Sequence, residues 1–172
     1  METERTIFTT ERTTLTLLQE ADLPAMTIMS READTFRYIR KLRVMNDEQY
    51  QQFLRLKLEQ IRSGAGYHWV VWLKGEGSFV GAVNLNPIGG TQRLQIGCQL
   101  MRNYWGQGFA SELMKWVLDF AFRDAGLSEV YGVFEKDNIT SRRLLAKLGF
   151  VWIEDLTEHD VALEVHRYTE LP

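Results

Sequence analysis

Between Leu94 and Ala121 the hydrophobic period of the chain changes, and it changes across two glycines. Leu94, Ile96, Cys98 and Leu100 alternate along the sequence, as one face of a strand does. Ala110, Leu113, Met114, Val117, Leu118 and Ala121 recur at helical spacing and form a wide apolar stripe that ends near Gly126. The corner between the two patterns reads Trp105-Gly106-Gln107-Gly108-Phe109-Ala110-Ser111. Such a chain sets the end of a strand against the start of an amphipathic helix, which confines it to layered folds of sheet and helix.

The corner also has a chemistry. A helix N-terminus presents amides without intrahelical partners, and the helix dipole adds partial positive charge there. Glycine lets an anion approach that backbone because it has no Cβ. Ala110 and Ser111 keep the first turn uncrowded. Two phosphate motifs are excluded. The P-loop needs Lys and Ser/Thr after its last glycine, where Phe109 and Ala110 stand. The dinucleotide fingerprint needs a third glycine where Ser111 stands. Spacing alone leaves two readings, an anion-binding turn and an empty glycine corner.

The remaining elements follow from punctuation by glycine and proline. Ile7 to Leu18 reads as a first strand, and a helix begins at Asp22-Leu23-Pro24. A second helix spans Asp47 to Arg62, with Tyr50, Phe53, Leu54, Leu58 and Ile61 on its apolar stripe. Tyr67–Leu73 and Ser78–Leu85 form a hairpin around Gly75-Glu76-Gly77. After the glycine corner and its helix come a strand at Val130–Phe134 and a helix from Thr140 to Gly149. Strands at Val151–Glu154 and Val161–Tyr168 end the series. The order is strand, two helices, three strands, helix, strand, helix, two strands, which packs as an α/β arrangement, a mixed sheet with helices on both faces.

Composition narrows the function classes. The 172 residues suit one domain spanning residues 1–172, with 45% apolar and 25% charged side chains. A formal charge of −3 does not favour nucleic acid or an anionic membrane. The segment Met1 to Thr10 is polar, and no stretch nears the ~20 apolar residues of a membrane span, so a cytoplasmic location is expected. Cys98 is the only cysteine and reads as a buried, inert thiol. His68, His159 and His166 are scattered, so no metal site is expected.

A second polar helix start, Asn138-Ile139-Thr140-Ser141, follows the next strand directly and continues to Lys147-Leu148-Gly149-Phe150. If the two strands are neighbours, both turns open at one edge of the sheet. Taken with Thr10-Glu11-Arg12, Leu15, Leu17 and Ile96-Gly97, these motifs resemble the GCN5-related N-acetyltransferase (GNAT) superfamily. They are most similar to its branch of ribosomal-protein N-terminal acetyltransferases. The resemblance covers nearly the whole chain. It implies the GNAT fold, a mixed, mostly antiparallel sheet of about seven strands flanked by about four helices.

It also implies acetyl-CoA as cosubstrate and a primary amine as acceptor, either a small cationic amine or a protein N-terminus. Residue by residue, the backbone of Leu100, Met101 and Arg102 would pair with the pantetheine arm. The amides of Gly106, Gln107, Gly108, Phe109, Ala110 and Ser111 would hold the diphosphate, and Asn138 and Ser141 would lie near the thioester. Ser141 would supply a proton or a hydrogen bond to the leaving thiolate, and an amide near Leu100 or Met101 would be the oxyanion donor. Glu135 is the first candidate base and His68 a second, while Glu112 supports the helix start. Glu154, Asp155, Glu158 and Asp160 form an acidic loop that would attract a cationic acceptor. Two departures stand out: Trp105 replaces the usual polar head of the turn, and Gln95 replaces a frequent acidic residue. Gln95 keeps open the alternative of a non-catalytic CoA-binding domain. The branch often forms dimers, so a homodimer is among the assemblies implied.

Overall fold

The computed structural model describes residues 5–170. Met1 to Glu4, the beginning of the polar N-terminal segment, lie outside them. The chain forms β1 (Ile7–Thr9), β2 (Thr13–Leu17), α1 (Leu23–Ser30), α2 (Arg40–Arg43), α3 (Asp47–Arg62), β3 (Tyr67–Leu73), β4 (Phe79–Pro87) and β5 (Leu94–Leu100). It continues through α4 (Phe109–Arg123), β6 (Glu129–Glu135), α5 (Ile139–Leu148), β7 (Val151–Glu158) and β8 (Val161–Thr169). The eight strands make one sheet in the order β1-β2-β3-β4-β5-β6-β8-β7.

Three differences from the sequence expectation have physical causes. The first strand is a hairpin, because Thr10 turns the chain: its N–H donates to the Thr13 carbonyl at 2.9 Å and its hydroxyl meets that of Thr13 at 2.6 Å. That raises the strand count to eight. The short α2 was not expected, since a four-residue helix of Arg, Lys, Leu and Arg has no apolar stripe to read. The last two strands run longer than their apolar runs, because pairing with each other carries mostly exposed side chains through to a two-residue turn. His159 and Asp160 supply the two positive φ angles of that turn, 49° and 63°.

Other boundaries follow local chemistry closely. Asn46 caps α3 by accepting from the Gln49 N–H, and the Gln49 side chain returns the bond to the Asn46 N–H, both at 2.9 Å. Gly149, with φ 99°, closes α5. The helices divide between two cores. On one face Leu113, Met114, Val117 and Leu145 of α4 and α5 pack on Trp69, Val71, Val83 and Val130. On the other, Met26, Met29, Leu54 and Leu58 of α1 and α3 pack on Val70 and Ala82. Among the described residues no helix is long and apolar enough to cross a membrane.

Candidate active site at a parallel seam

All neighbouring strands of the sheet run antiparallel except β5 and β6, which run parallel. Strands β4 and β5 stay in register from Gly81–Leu100 to Pro87–Leu94. Strands β5 and β6, by contrast, share a single register pair, Gln95 with Tyr131. Beyond that pair the two strands part, so the middle of the sheet carries a gap that widens toward Leu100 and Glu135. Both helix starts singled out in the sequence follow these two strands, one on each side of the gap.

Backbone pairing decides which groups face the gap. The Met101 N–H donates to the Val80 carbonyl at 2.8 Å. In an antiparallel ladder the residues that exchange such bonds alternate with residues that point the other way. The N–H and C=O groups of Cys98 and Leu100 therefore face β6. Of the two candidate oxyanion donors, Leu100 keeps a free amide and Met101 does not. The Leu100 carbonyl accepts from the Trp105 indole N–H at 2.8 Å. Trp105 is otherwise 42% exposed, with the Arg102 guanidinium 5.8 Å from its ring. The Arg102 N–H is taken by the Glu32 carboxylate at 2.7 Å. Cys98 was read only as a core thiol, yet it adds backbone groups to the gap; its side chain packs on the larger core, and burial pushes the thiol up to about 12.

The glycine turn is held from behind. Gly106 and Gly108 have φ of 70° and 82°, and Gly108 is the N-cap of α4 with no side chain bonded over the helix end. A Cβ on Gly106 would meet nothing within 4 Å, so the turn stands open. Behind it, Arg12 donates to the Gln107 carbonyl at 2.9 Å and lies 3.8 Å over the Phe109 ring. Phe109 is buried in the larger core, while Ala110 and Ser111 are half-buried in the first turn. Glu112 bonds the Arg12 side chain at 2.7 Å, the Arg12 N–H at 2.9 Å and the Thr10 hydroxyl at 2.6 Å. The Thr10-Glu11-Arg12 motif, read in the sequence as part of a strand, is thus the clasp of the turn. Uncapped amides, an open face and a buried backing are what a diphosphate requires.

On the other side of the gap, Asn138 accepts from the Ser141 N–H at 3.1 Å and so caps α5, with Ser141 half-buried in its first turn. Glu135 ends β6 and accepts from the Arg40 N–H at 3.3 Å, while the Arg40 side chain donates to the His159 carbonyl at 2.5 Å. The segment around α2 thereby bridges the β6 end and the β7–β8 turn. The acidic cluster is not a loop: Glu154, Asp155 and Glu158 lie in β7 and Asp160 in the turn. Pairing partly neutralises it, Asp155 with Lys136 at 2.7 Å and Glu154 with Arg93 at 3.4 Å. Behind α5, Arg142 and His166 hold the Glu164 carboxylate at 2.6 and 2.9 Å. No group of His, Cys, Asp and Glu that could hold a metal occurs among the described residues.

Two of these carboxylates are placed to make stability depend on acid. Hydrogen bonds from Arg142, and then from His166, hold Glu164 below its ordinary value against the opposing effect of burial. Burial alone would raise Glu112, but its bonds from Thr10 and Arg12 outweigh that and leave it lowered too. A carboxylate lowered on folding stabilises the fold above its unfolded pKa and loses that contribution as pH falls through the folded one. The melting temperature should therefore hold near neutrality and fall below roughly pH 4.3. Changing Glu112→Gln and Glu164→Gln together should flatten that descent. Parallel melting curves for the two proteins would show that these carboxylates do not set it.

A family model described as "Acetyltransferase (GNAT) domain" matches residues 12–151. The chain belongs to the GNAT acetyltransferases. Within that family it is 26% identical over 145 residues to the "Uncharacterized N-acetyltransferase YoaA" of Bacillus subtilis (strain 168), across 84% of this chain and 82% of that protein. Among solved structures, the RimL ribosomal L7/L12 α-N-protein acetyltransferase in complex with coenzyme A superposes with a TM-score of 0.83 at 14% identity, covering 95% and 98% of the two chains. The spermidine N-acetyltransferase from Vibrio cholerae, in complex with CoA and spermine, gives 0.77 at 20% identity, covering 91% and 95%. The GNAT fold is thus shown by sequence and structure together.

Proposed function

We propose that this GNAT protein transfers the acetyl group of acetyl-CoA to a primary amine by direct attack. The observation that carries the reading is the parted pair β5–β6, with the uncapped start of α4 at its mouth and the Leu100 amide facing inward. The glycine turn from Gly106 to Ser111 binds the diphosphate through its amides, and the β5 edge at Cys98 and Leu100 pairs with the pantetheine arm. Both solved neighbours named above were crystallised with CoA, which supports this assignment.

In the reaction the amine nitrogen forms a bond to the thioester carbon, and the carbonyl electrons move onto oxygen beside the Leu100 N–H. Collapse breaks the C–S bond and the sulfur leaves with the electron pair, held by a hydrogen bond from the Ser141 hydroxyl. The proton it finally carries balances the one nitrogen gives up, relayed through Ser141 or water. The nitrogen loses a proton in turn. A lysine-like ammonium must also shed a proton before it can attack, since only about one molecule in a thousand is neutral at pH 7, so proton removal needs help. Glu135 is the candidate base, acting directly or through water, because it ends β6 on the acceptor side. The protein N-terminus and the polyamine named for the two neighbours are both primary amines.

Thiol release from acetyl-CoA over an amine panel tests the proposal, with CoA titrated separately by calorimetry. CoA binding with no turnover of any amine would favour the second reading, a CoA-binding domain without a base, which Gln95 supports. Ser141→Ala should lower kcat by about tenfold while CoA affinity holds within about twofold, as loss of one hydrogen bond to the leaving thiolate predicts. Equal kcat in the variant would remove Ser141 from the mechanism. Glu135→Gln should lower kcat/KM by about a hundredfold and shift its pH profile; a full-rate variant would assign the proton to water alone.

A further inference from the structure

Resting on that acetyl-transfer reading, we infer that the acceptor amine carries a carboxylate, bound by Lys57 and His68 on the α3 side of the gap. The observations concern the face covered by α1 and α3. His68, Asn84 and Gly97 form one row across β3, β4 and β5, one step past the pair Gln95–Tyr131 where the seam begins. Val70 and Ala82 place His68 and Asn84 on the α1 and α3 face, since alternate residues of a strand share a face. A Cβ on Gly97 would lie 2.6 Å from the Asn84 side-chain oxygen, so Gly97 leaves that polar group room beside the gap.

His68 is only 4% exposed, and neither ring nitrogen has a hydrogen-bond partner among the described residues. A buried imidazole in that state is uncommon, because each unpartnered polar group costs desolvation with no return. Above it lies a cationic wall. The Lys57 Nζ donates to Gln60 at 3.2 Å and sits 4.8 Å from the Phe53 ring centroid, and the Lys41 Nζ lies 5.7 Å from the same ring. No ion pair among the described residues includes Lys41 or Lys57. Burial, then the Lys57 charge, pushes His68 down to about 3, while burial and then Lys41 lower Lys57.

These groups share one deficiency, an anion. A carboxylate seated between them would accept from the Lys57 ammonium and from the single N–H of neutral His68, and would remove the mutual repulsion of the two lysines. Lys41 belongs to α2 beside Arg40, which bonds Glu135 at the end of β6. The cationic wall is therefore continuous with the acceptor side of the gap. A polyamine finds no such match here, and two of the four carboxylates that would have drawn it, Glu154 and Asp155, are paired with Arg93 and Lys136. Free amino acids and the N-terminal residue of an acidic peptide both present the required amine and carboxylate.

Matched acceptors test this. Thiol release is compared for amino acids against their carboxamides, for peptides beginning with Asp or Glu against the Asn and Gln versions, and for spermidine. The carboxylate member of at least one series should lead in kcat/KM by about tenfold or more, the worth of one charge-assisted bond. Lys57→Met should bring that ratio close to one. Spermidine or the carboxamides turning over as well as the carboxylates would overturn the inference and leave the acetyltransferase reading intact. Failure to bind CoA would instead remove the reading beneath it. A second measurement needs no turnover and no variant: the His68 ring signals of the CoA-loaded protein, followed by NMR during titration with N-acetyl-L-glutamate or N-acetylglycine. A saturable shift with either carboxylate, absent with the matching amides, is expected; no shift with either would overturn the inference.

Discussion

Gly81→Ala should lower the melting temperature by on the order of 10 °C and weaken CoA binding, although Gly81 lies outside the glycine turn. Gly81 faces Leu100 across the β4–β5 pair, beside the register shift at Val71/Trp72. A Cβ there would stand 2.1 Å from the Gln99 carbonyl oxygen and 2.8 Å from the Leu100 Cα. Both are backbone atoms, so no side chain can swing aside. The strands must separate, which breaks ladder bonds and displaces the residue whose amide faces the gap. Forced overpacking costs about 3 kcal/mol at its upper end, and each kcal/mol moves the midpoint of a domain this size by about 2–4 °C. Thermal and urea melts measure the loss. A midpoint within about 2 °C of wild type would show that β4 accommodates the methyl group and that the approach is not a tight one.

Gly108→Val should raise the Kd for CoA by at least about thirtyfold, the loss of one strong amide–phosphate bond with part of a second. Gly108 has φ 82° at the N-cap of α4, a conformation that costs an L-residue roughly 1–2 kcal/mol and a β-branched one more. A Cβ on Gly108 would also lie 3.5 Å from the Arg12 Nη2, so the branched side chain presses on the clasp that shapes the turn from behind. Gly108→Ala separates the two effects, because it shares the backbone strain and crowds the Arg12 clasp less. Calorimetric titration with CoA is the measurement. If both variants bind CoA as wild type does, the diphosphate is held elsewhere.

The sequence announced elements where local chemistry decides them. The α3 boundaries, Asp47 and Arg62, were legible from the apolar stripe of Tyr50 to Ile61, although the reciprocal cap of Asn46 and Gln49 was not read from the sequence. The glycine turn was legible because φ near 70° or 80° calls for glycine whatever the tertiary context. The first hairpin was not, since threonine serves equally in a strand and in the turn at Thr10. Long-range partners were out of reach for the same reason: nothing local in Glu112 says that it meets Thr10 and Arg12, a hundred residues upstream for Arg12. The wall formed by Lys41, Phe53 and Lys57 was equally hidden. Phe53 read correctly as part of the helix stripe, and Lys57 follows it by one turn of the same helix, but Lys41 reaches the ring only when α2 folds back.

The single register pair between β5 and β6 has a mechanical meaning for the whole sheet. Eight strands would ordinarily behave as one stiff plate, yet here two plates of β1–β5 and β6–β8 are stitched edge to edge at one end. Whatever lies along the open edge serves as mortar. Loading with CoA should then slow hydrogen exchange at Cys98 and Leu100, whose amides lie mid-sheet without a strand beside them. It should also stiffen one plate against the other, so the relative tilt of the halves reports cofactor occupancy before any acetyl group moves.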